Sequence, residues 1–261
     1  MTVASALTLK DVTKHFGGIA VVDGVSFDIP VGGRTALIGP NGAGKTTLFN
    51  LISGVFPVDS GSIRLSGEPI ENVAPRERVR RGLARSFQNI RLMPHLSIIE
   101  NVMLGQHVQV AGFASRLSPI SWQRRNRWRE LALATLRDAG VDIEPDADVS
   151  NLSYGLRKRI EVVRALMSRP RLLMLDEPVA GLNPRETKDL TAFLKSIELY
   201  VPTVLVVEHD MSFVRDLCDR TIVLNFGRAI YDGPTHRVGD DEDVRAAYLG
   251  RRRMTGAPSA A

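Results

Sequence analysis

The segment Gly39-Pro40-Asn41-Gly42-Ala43-Gly44-Lys45-Thr46 carries the clearest chemistry in the sequence. Glycines lack Cβ, so consecutive backbone N–H groups can curl around an anion, and a helix opening near Gly44 would aim its positive dipole end at the same point. The spacing is that of a phosphate loop, and the apolar run Thr35 to Ile38 precedes it, as a strand-to-helix cradle requires. In this reading Gly39, Pro40, Asn41, Gly42, Ala43, Gly44, Lys45, Thr46 and Thr47 wrap the phosphates of a nucleotide. Lys45 would neutralise the β- and γ-phosphates, and the Thr46 hydroxyl would ligate Mg²⁺. The plainer alternative is a glycine-rich turn between strand and helix, which gives Lys45 and Thr46 no task.

Arg171 to Pro178 is an apolar strand that runs into two adjacent carboxylates. Asp176 at its end can hold Mg²⁺ through the metal's water shell. Glu177, pointing the other way, can orient and deprotonate an attacking water. By itself a strand ending in Asp-Glu-Pro also opens a helix; beside a phosphate loop it reads as a site. Between the two motifs, Ser153 precedes Ile160, Val163, Leu166 and Met167 at helical spacing, with Pro170 closing the run. Ser153 is a good N-cap. Its hydroxyl and the Gly155 N–H also form an anion site at a helix N-terminus, with no protein anion in sequence to fill it. Both readings stand at this point.

Positioning these groups requires a sheet. Apolar runs predict strands at Leu7 to Val12, Val21 to Ile29, Thr35 to Ile38, Leu172 to Leu175, Thr203 to Val207 and Thr221 to Leu224, alternating with helical patterns. That alternation predicts an α/β protein with a largely parallel sheet. Helix signals dominate from Asn89 to Val149. Ser97 with Glu100 reads as a capping box, and Trp122 to Ala139 as a longer helix stopped at Gly140, together an inserted helical subdomain. Only Met254 to Ala261 has a disordered composition.

Composition narrows the classes. With 261 residues, 44% hydrophobic and 24% charged, the chain can bury a proper core. The lone Cys218 supplies neither a disulfide nor a thiolate metal cage, consistent with a reducing compartment. Met1 to Lys10 has no secretory pattern, and no run of about 18 apolar residues spans a bilayer, so a membrane role has to pass through partners. The charge of +5 includes Arg124, Arg125, Arg127 and Arg129 beside Trp122 and Trp128, and Arg251 to Arg253. These read as a solvated helix face and a loose tail, with a nucleic-acid surface as the weaker alternative. Asp142, Glu144, Asp146 and Asp148 resemble the start of a calcium loop but lack its later glycine and glutamate, and read as a solvated loop.

Taken in order, the motifs resemble the ABC transporter ATPases. Gln88 in Ser86-Phe87-Gln88-Asn89 matches the Q-loop, Leu152-Ser153-Tyr154-Gly155 the signature, Ala180-Gly181-Leu182-Asn183 the D-loop and His209 in Val207-Glu208-His209-Asp210 the switch histidine. The resemblance spans about Leu7 to Gly250. It implies a P-loop NTPase core with a mainly parallel central sheet, an antiparallel N-terminal β part and an inserted α-helical subdomain. The boundaries expected are 1–88 and 165–250 for the core, 89–164 for the insertion and 251–261 for the tail.

The resemblance also implies roles. ATP would lie between one subunit's phosphate loop and a second subunit's Ser153 and Gly155, giving that anion site its anion. Phe16 would stack on adenine, a core aromatic being the alternative. Gln88, Glu177 and His209 would be catalytic, and Thr46, Gln88 and Asp176 would hold Mg²⁺. Tyr154 stands where many members have Gly, and Leu156 where Gln is common, which removes an amide and bears on turnover.

Within the family, Asp176 to Pro184, Val207 to Met211 and Val244 to Gly250 are similar to the larger ATPase of branched-chain amino acid importers. Two permeases, a second similar ATPase or a second copy of the chain, and, indirectly, a solute-binding protein would be the partners, at the cytoplasmic face of the membrane, with no nucleic acid. A permease helix would dock in the groove between Gln88 and the helical segment Ser97 to Leu104, on the apolar Ile98, Ile99 and Val102, the alternative being that two of those three are core residues. The ATPase of lipopolysaccharide export is the closest rival. DNA-repair members need long coiled coils, and translation factors two cassettes, neither of which fits here.

Overall fold

Buried and exposed residues alternate along the first two strands, as they do where one face meets a core and the other meets solvent. The computed structural model describes residues 4–86, 90–108, 119–142, 144–197 and 203–249. In chain order the first half holds β1 (Ser5–Phe16), β2 (Ile19–Pro30), β3 (Arg34–Ile38), α1 (Lys45–Ser53), β4 (Ser60–Leu65), β5 (Glu68–Pro69), α2 (Pro75–Arg80), β6 (Leu83–Arg85), α3 (Ile98–Met103) and α4 (Pro119–Asp138). The second half holds α5 (Tyr154–Leu166), β7 (Leu172–Asp176), α6 (Pro184–Ser196), β8 (Thr203–Val207), α7 (Met211–Leu217), β9 (Arg220–Asn225), β10 (Arg228–Pro234) and α8 (Glu242–Leu249).

The larger sheet has the order β10-β9-β3-β8-β7-β6, parallel throughout except for the antiparallel edge strand β10. β7 and β8 are buried at every position, which explains the unbroken apolar runs from Leu172 to Leu175 and from Val204 to Val207. The pleat divides the core. Leu37, Met174 and Leu205 face α1 and the smaller antiparallel sheet β2-β1-β4-β5, whereas Ala36, Ile38 and Leu175 face the helices α3 to α7. The expected architecture, a mainly parallel sheet with an antiparallel N-terminal part, is the one observed.

Register does the positioning. Asp176 lies beside Val207, and Leu37 beside both Val207 and Ile222, so β3, β7 and β8 end along one edge. In open parallel sheets this carboxyl edge is where ligands bind.

Differences from the sequence reading are local. β4, β5, β6 and β10 are too short or too polar to stand out by periodicity. α4 begins three residues before the expected Trp122, and Gly140 beyond its end takes φ +64°, as a helix stop requires. Ser97 and Glu100 do form a reciprocal capping box. One expectation fails: Ile98, Ile99 and Val102 are 0%, 2% and 0% exposed, so they belong to the core and offer a permease no surface. Their helix presents its apolar side to α4 and α5 instead. The tail from residue 250 onward and Gln88 lie outside the described residues.

Candidate functional site

The phosphate-loop segment leaves β3 at Gly39 and enters α1 at Lys45. Gly39 has φ +153°, and a Cβ there would lie 2.2 Å from the Leu224 carbonyl oxygen; Gly44 has φ +100°, and a Cβ there would lie 2.5 Å from that of Val21. Only glycine lets the loop press this closely against β9 and β2. The Gly227 N–H donates to Ala43 O, tying the loop to the β9–β10 turn. No side chain caps the first turn of α1, so its N–H groups are available to an anion.

Lys45 Nζ folds over the loop and donates to Gly39 O at 2.7 Å and Pro40 O at 3.0 Å. Partial burial lowers its pKa, and the Glu177 carboxylate pulls the other way. A cation already held over the loop fits a phosphate.

Asp176 ends β7 and is 6% exposed; its Oδ2 accepts from Arg85 at 2.7 Å. Glu177 takes φ +46°, a left-handed conformation that costs a non-glycine residue about 1 kcal/mol. Its N–H donates to Val207 O. This turn separates two adjacent carboxylates: Asp176 stays under the sheet edge, and Glu177 comes within 3.9 Å of Nδ1 of the exposed His209. That gap is too long for a hydrogen bond and admits a small shift or a bridging water.

Sequence reasoning missed Glu208. Only 1% exposed, it accepts N–H groups from Val179, His209 and Asp210, and its burial raises its pKa. It thereby ties the end of β8, carrying His209, to the turn that follows Glu177.

Phe16 is 42% exposed and therefore not a core aromatic. Phe56 meets it edge-on at 5.4 Å, and Lys14 Nζ lies 5.5 Å from its ring centre, leaving a supported open ring.

Ser153 and Gly155 form a second group, bonded to α6. Ser153 Oγ accepts the Leu156 N–H and caps α5. The Gly155 N–H, read from sequence as lacking a protein anion, donates to Glu186 Oε1 at 3.2 Å. That reading is corrected: a carboxylate from α6 fills the site. The packing of α5 on α6 brings it there, and spacing in sequence gives no sign of it.

Thr46 and Asp176 offer the hard oxygen donors that Mg²⁺ requires, and the glycine cradle leaves the space that a phosphate would fill, so these residues fit both groups. A groove of about 440 Å³ opens on the other side of Arg85, lined among others by Arg76, Val79, Leu104, Glu161 and Arg164. Among the described residues no helix is long and apolar enough to cross a membrane.

A glycine cradle and acidic residues on the carboxyl edge of a parallel sheet are the arrangement of a nucleotide-binding α/β protein. Residues 22–180 match the ABC transporter family, and the chain belongs to it as an ATP-hydrolysing cassette. It is 38% identical over 248 residues, 94% of the chain and 97% of the relative, to the high-affinity branched-chain amino acid transport ATP-binding protein BraF of Pseudomonas aeruginosa. Its identity to LivG of Escherichia coli K12, described in the same words, is 35% over the same share of both chains.

Among solved structures, a nucleotide-free ATP-binding cassette from an ABC transporter superposes with a TM-score of 0.81 at 29% identity, over 94% of this chain and 99% of that one. A dimeric cassette in a post-hydrolysis state, bound to ADP and Pi, superposes with a TM-score of 0.73 at 26% identity, over 88% and 98%.

Proposed function

We propose that the chain energises high-affinity uptake of branched-chain amino acids, as the ATPase subunit of an importer. The observation that carries this reading is the 38% identity to BraF over 94% of the chain, which favours import over the lipopolysaccharide-export alternative. The chain would bind permeases on the cytoplasmic face of the membrane and pair with a second ATPase.

In this reading ATP lies with its phosphates in the Gly39 to Thr47 loop and its adenine on Phe16. Thr46 and Asp176, with Gln88, would hold Mg²⁺, which supplies positive charge against the β- and γ-phosphates. Glu177 would take the proton of the attacking water, and His209 would steady that water from across the 3.9 Å gap. Ser153 and Gly155 would face the γ-phosphate of a second subunit's ATP, with Glu186 withdrawing. The helical segment 89–164 would act as a unit that turns against the core. The groove beside Arg85, rather than Ile98, Ile99 and Val102, would take a permease segment.

Deletion of the gene should abolish high-affinity uptake of leucine, isoleucine and valine, and its return should restore it. The purified subunit should show no calorimetric binding of leucine, because all its recognisable chemistry is directed at phosphate. Unchanged uptake in a deletion strain that has no duplicate ATPase would remove the import reading.

A further inference from the structure

Arg85 ends β6, with its side chain 11% exposed. Its Nη2 donates to Asp176 Oδ2 at 2.7 Å, and its Nη1 donates to Asn50 Oδ1 at 2.7 Å and to Ser53 Oγ at 2.9 Å. The guanidinium carbon lies 5.6 Å from the centre of the Phe49 ring. Asn50, Ser53 and Phe49 all belong to α1, the helix that opens from the phosphate loop.

A buried ion pair is a weak source of stability, because desolvating two charges offsets most of their attraction. What it does supply is orientation. A planar fork fixed on α1 restrains the Asp176 carboxylate, and it does so from the same element that carries Lys45 and Thr46.

We propose that Arg85 is a positioning residue of the ATPase reaction, fixing the Asp176 carboxylate toward Mg²⁺ from an anchor on the phosphate-loop helix. This rests on the reading of Asp176 as a magnesium residue. The phosphate end of the site and its metal carboxylate lie on different elements, Lys45 on α1 and Asp176 on β7, 131 positions apart by their numbers. Arg85 makes their spacing independent of how the surrounding loops settle.

The test measures binding rather than turnover. For the purified chain, a fluorescent ATP analogue is titrated with and without Mg²⁺, and the Mg²⁺ concentration giving half of the metal-dependent tightening is recorded. A group that holds a metal-binding carboxylate in place is worth about 10- to 100-fold in metal affinity. Arg85→Met should therefore raise that concentration by about tenfold or more while leaving metal-free nucleotide binding unchanged. Arg85→Lys keeps the charge but loses the fork, and should behave more like the Met variant than like the parent. Asn50→Ala removes one anchor while leaving both charges in place; it should shift the midpoint in the same direction and keeps the test open if Arg85→Met fails to fold.

Unchanged midpoints in Arg85→Met and Asn50→Ala, or equal losses with and without metal, overturn the proposal. Asp176→Asn serves as the control. If the parent shows no metal-dependent tightening, or Asp176→Asn retains it, the magnesium reading of Asp176 falls and the proposal falls with it.

Discussion

Glu186 holds two backbone N–H groups at once, that of Gly155 through Oε1 and that of Asn183 through Oε2, each at 3.2 Å. One carboxylate thus joins the first turn of α5 to the N-cap of α6. A phosphate arriving at Gly155 would meet a like charge already seated there.

Replacing that charge while keeping its shape tests the competition. Glu186→Gln keeps a carbonyl oxygen for one of the two N–H groups, turns its NH2 toward the other, and removes the repulsion, worth about 1 kcal/mol for a partly exposed charge. MgATP-dependent dimerisation, followed by sedimentation in a Glu177→Gln background, should tighten by roughly fivefold. Weaker dimers would mean that the carboxylate helps the closed state.

Glu177→Gln should itself retain ATP and lose hydrolysis by about 10²- to 10⁴-fold, the usual contribution of a positioned base. Its dimer should live longer in MgATP than in MgADP. Parent-like turnover in the assembled transporter would remove Glu177 from that role.

Much of this site is legible in the sequence because its information is local. Gly39 to Thr46 and Asp176-Glu177 each declare themselves within eight residues, and the buried strands around them are unbroken apolar runs. The contacts that set the geometry are not local. Arg85 reaches Asp176 across 91 positions, and Glu186 reaches Gly155 across 31, so only the strand order and the packing of α5 on α6 bring them together. β6 hides for a related reason: three residues, one of them charged, carry no periodicity. Ile98, Ile99 and Val102 misled in the opposite sense, since an apolar helix face looks the same whether it awaits a partner or already has one.

Cys218 supplies a probe of opening. It is 3% exposed, and burial pushes its thiol up to about 12. Since the thiolate is the nucleophile, labelling by iodoacetamide at pH 8 should be negligible in the folded chain and become rapid with denaturant, tracking the loss of helical circular dichroism. Fast labelling of the native protein would show that α7 opens on its own.

Arg78 is 2% exposed and donates to the carbonyls of Leu51, Ile52, Glu71 and Val73. Arg78→Met would take the guanidinium from all four; the Leu51 carbonyl keeps the Gly54 N–H, and the other three lose a donor, at about 1–3 kcal/mol for each one that water cannot reach. A loss of about 3 kcal/mol, or a fall in melting temperature of roughly 6–12 °C, is expected by calorimetry. A melting temperature within a degree or two of the parent's would mean that water replaces the guanidinium.

The same four bonds have a mechanical side. Leu51 and Ile52 close the helix that begins at the phosphate loop, whereas Arg78 itself rides on α2, whose Pro75, Arg76 and Val79 form one wall of the groove. The Arg78 guanidinium bonds the two helices directly, at the carbonyls of Leu51 and Ile52. Pressure applied to that wall would then reach the cradle as displacement rather than be absorbed as bending, the short path from groove to cradle working as a stiff crank.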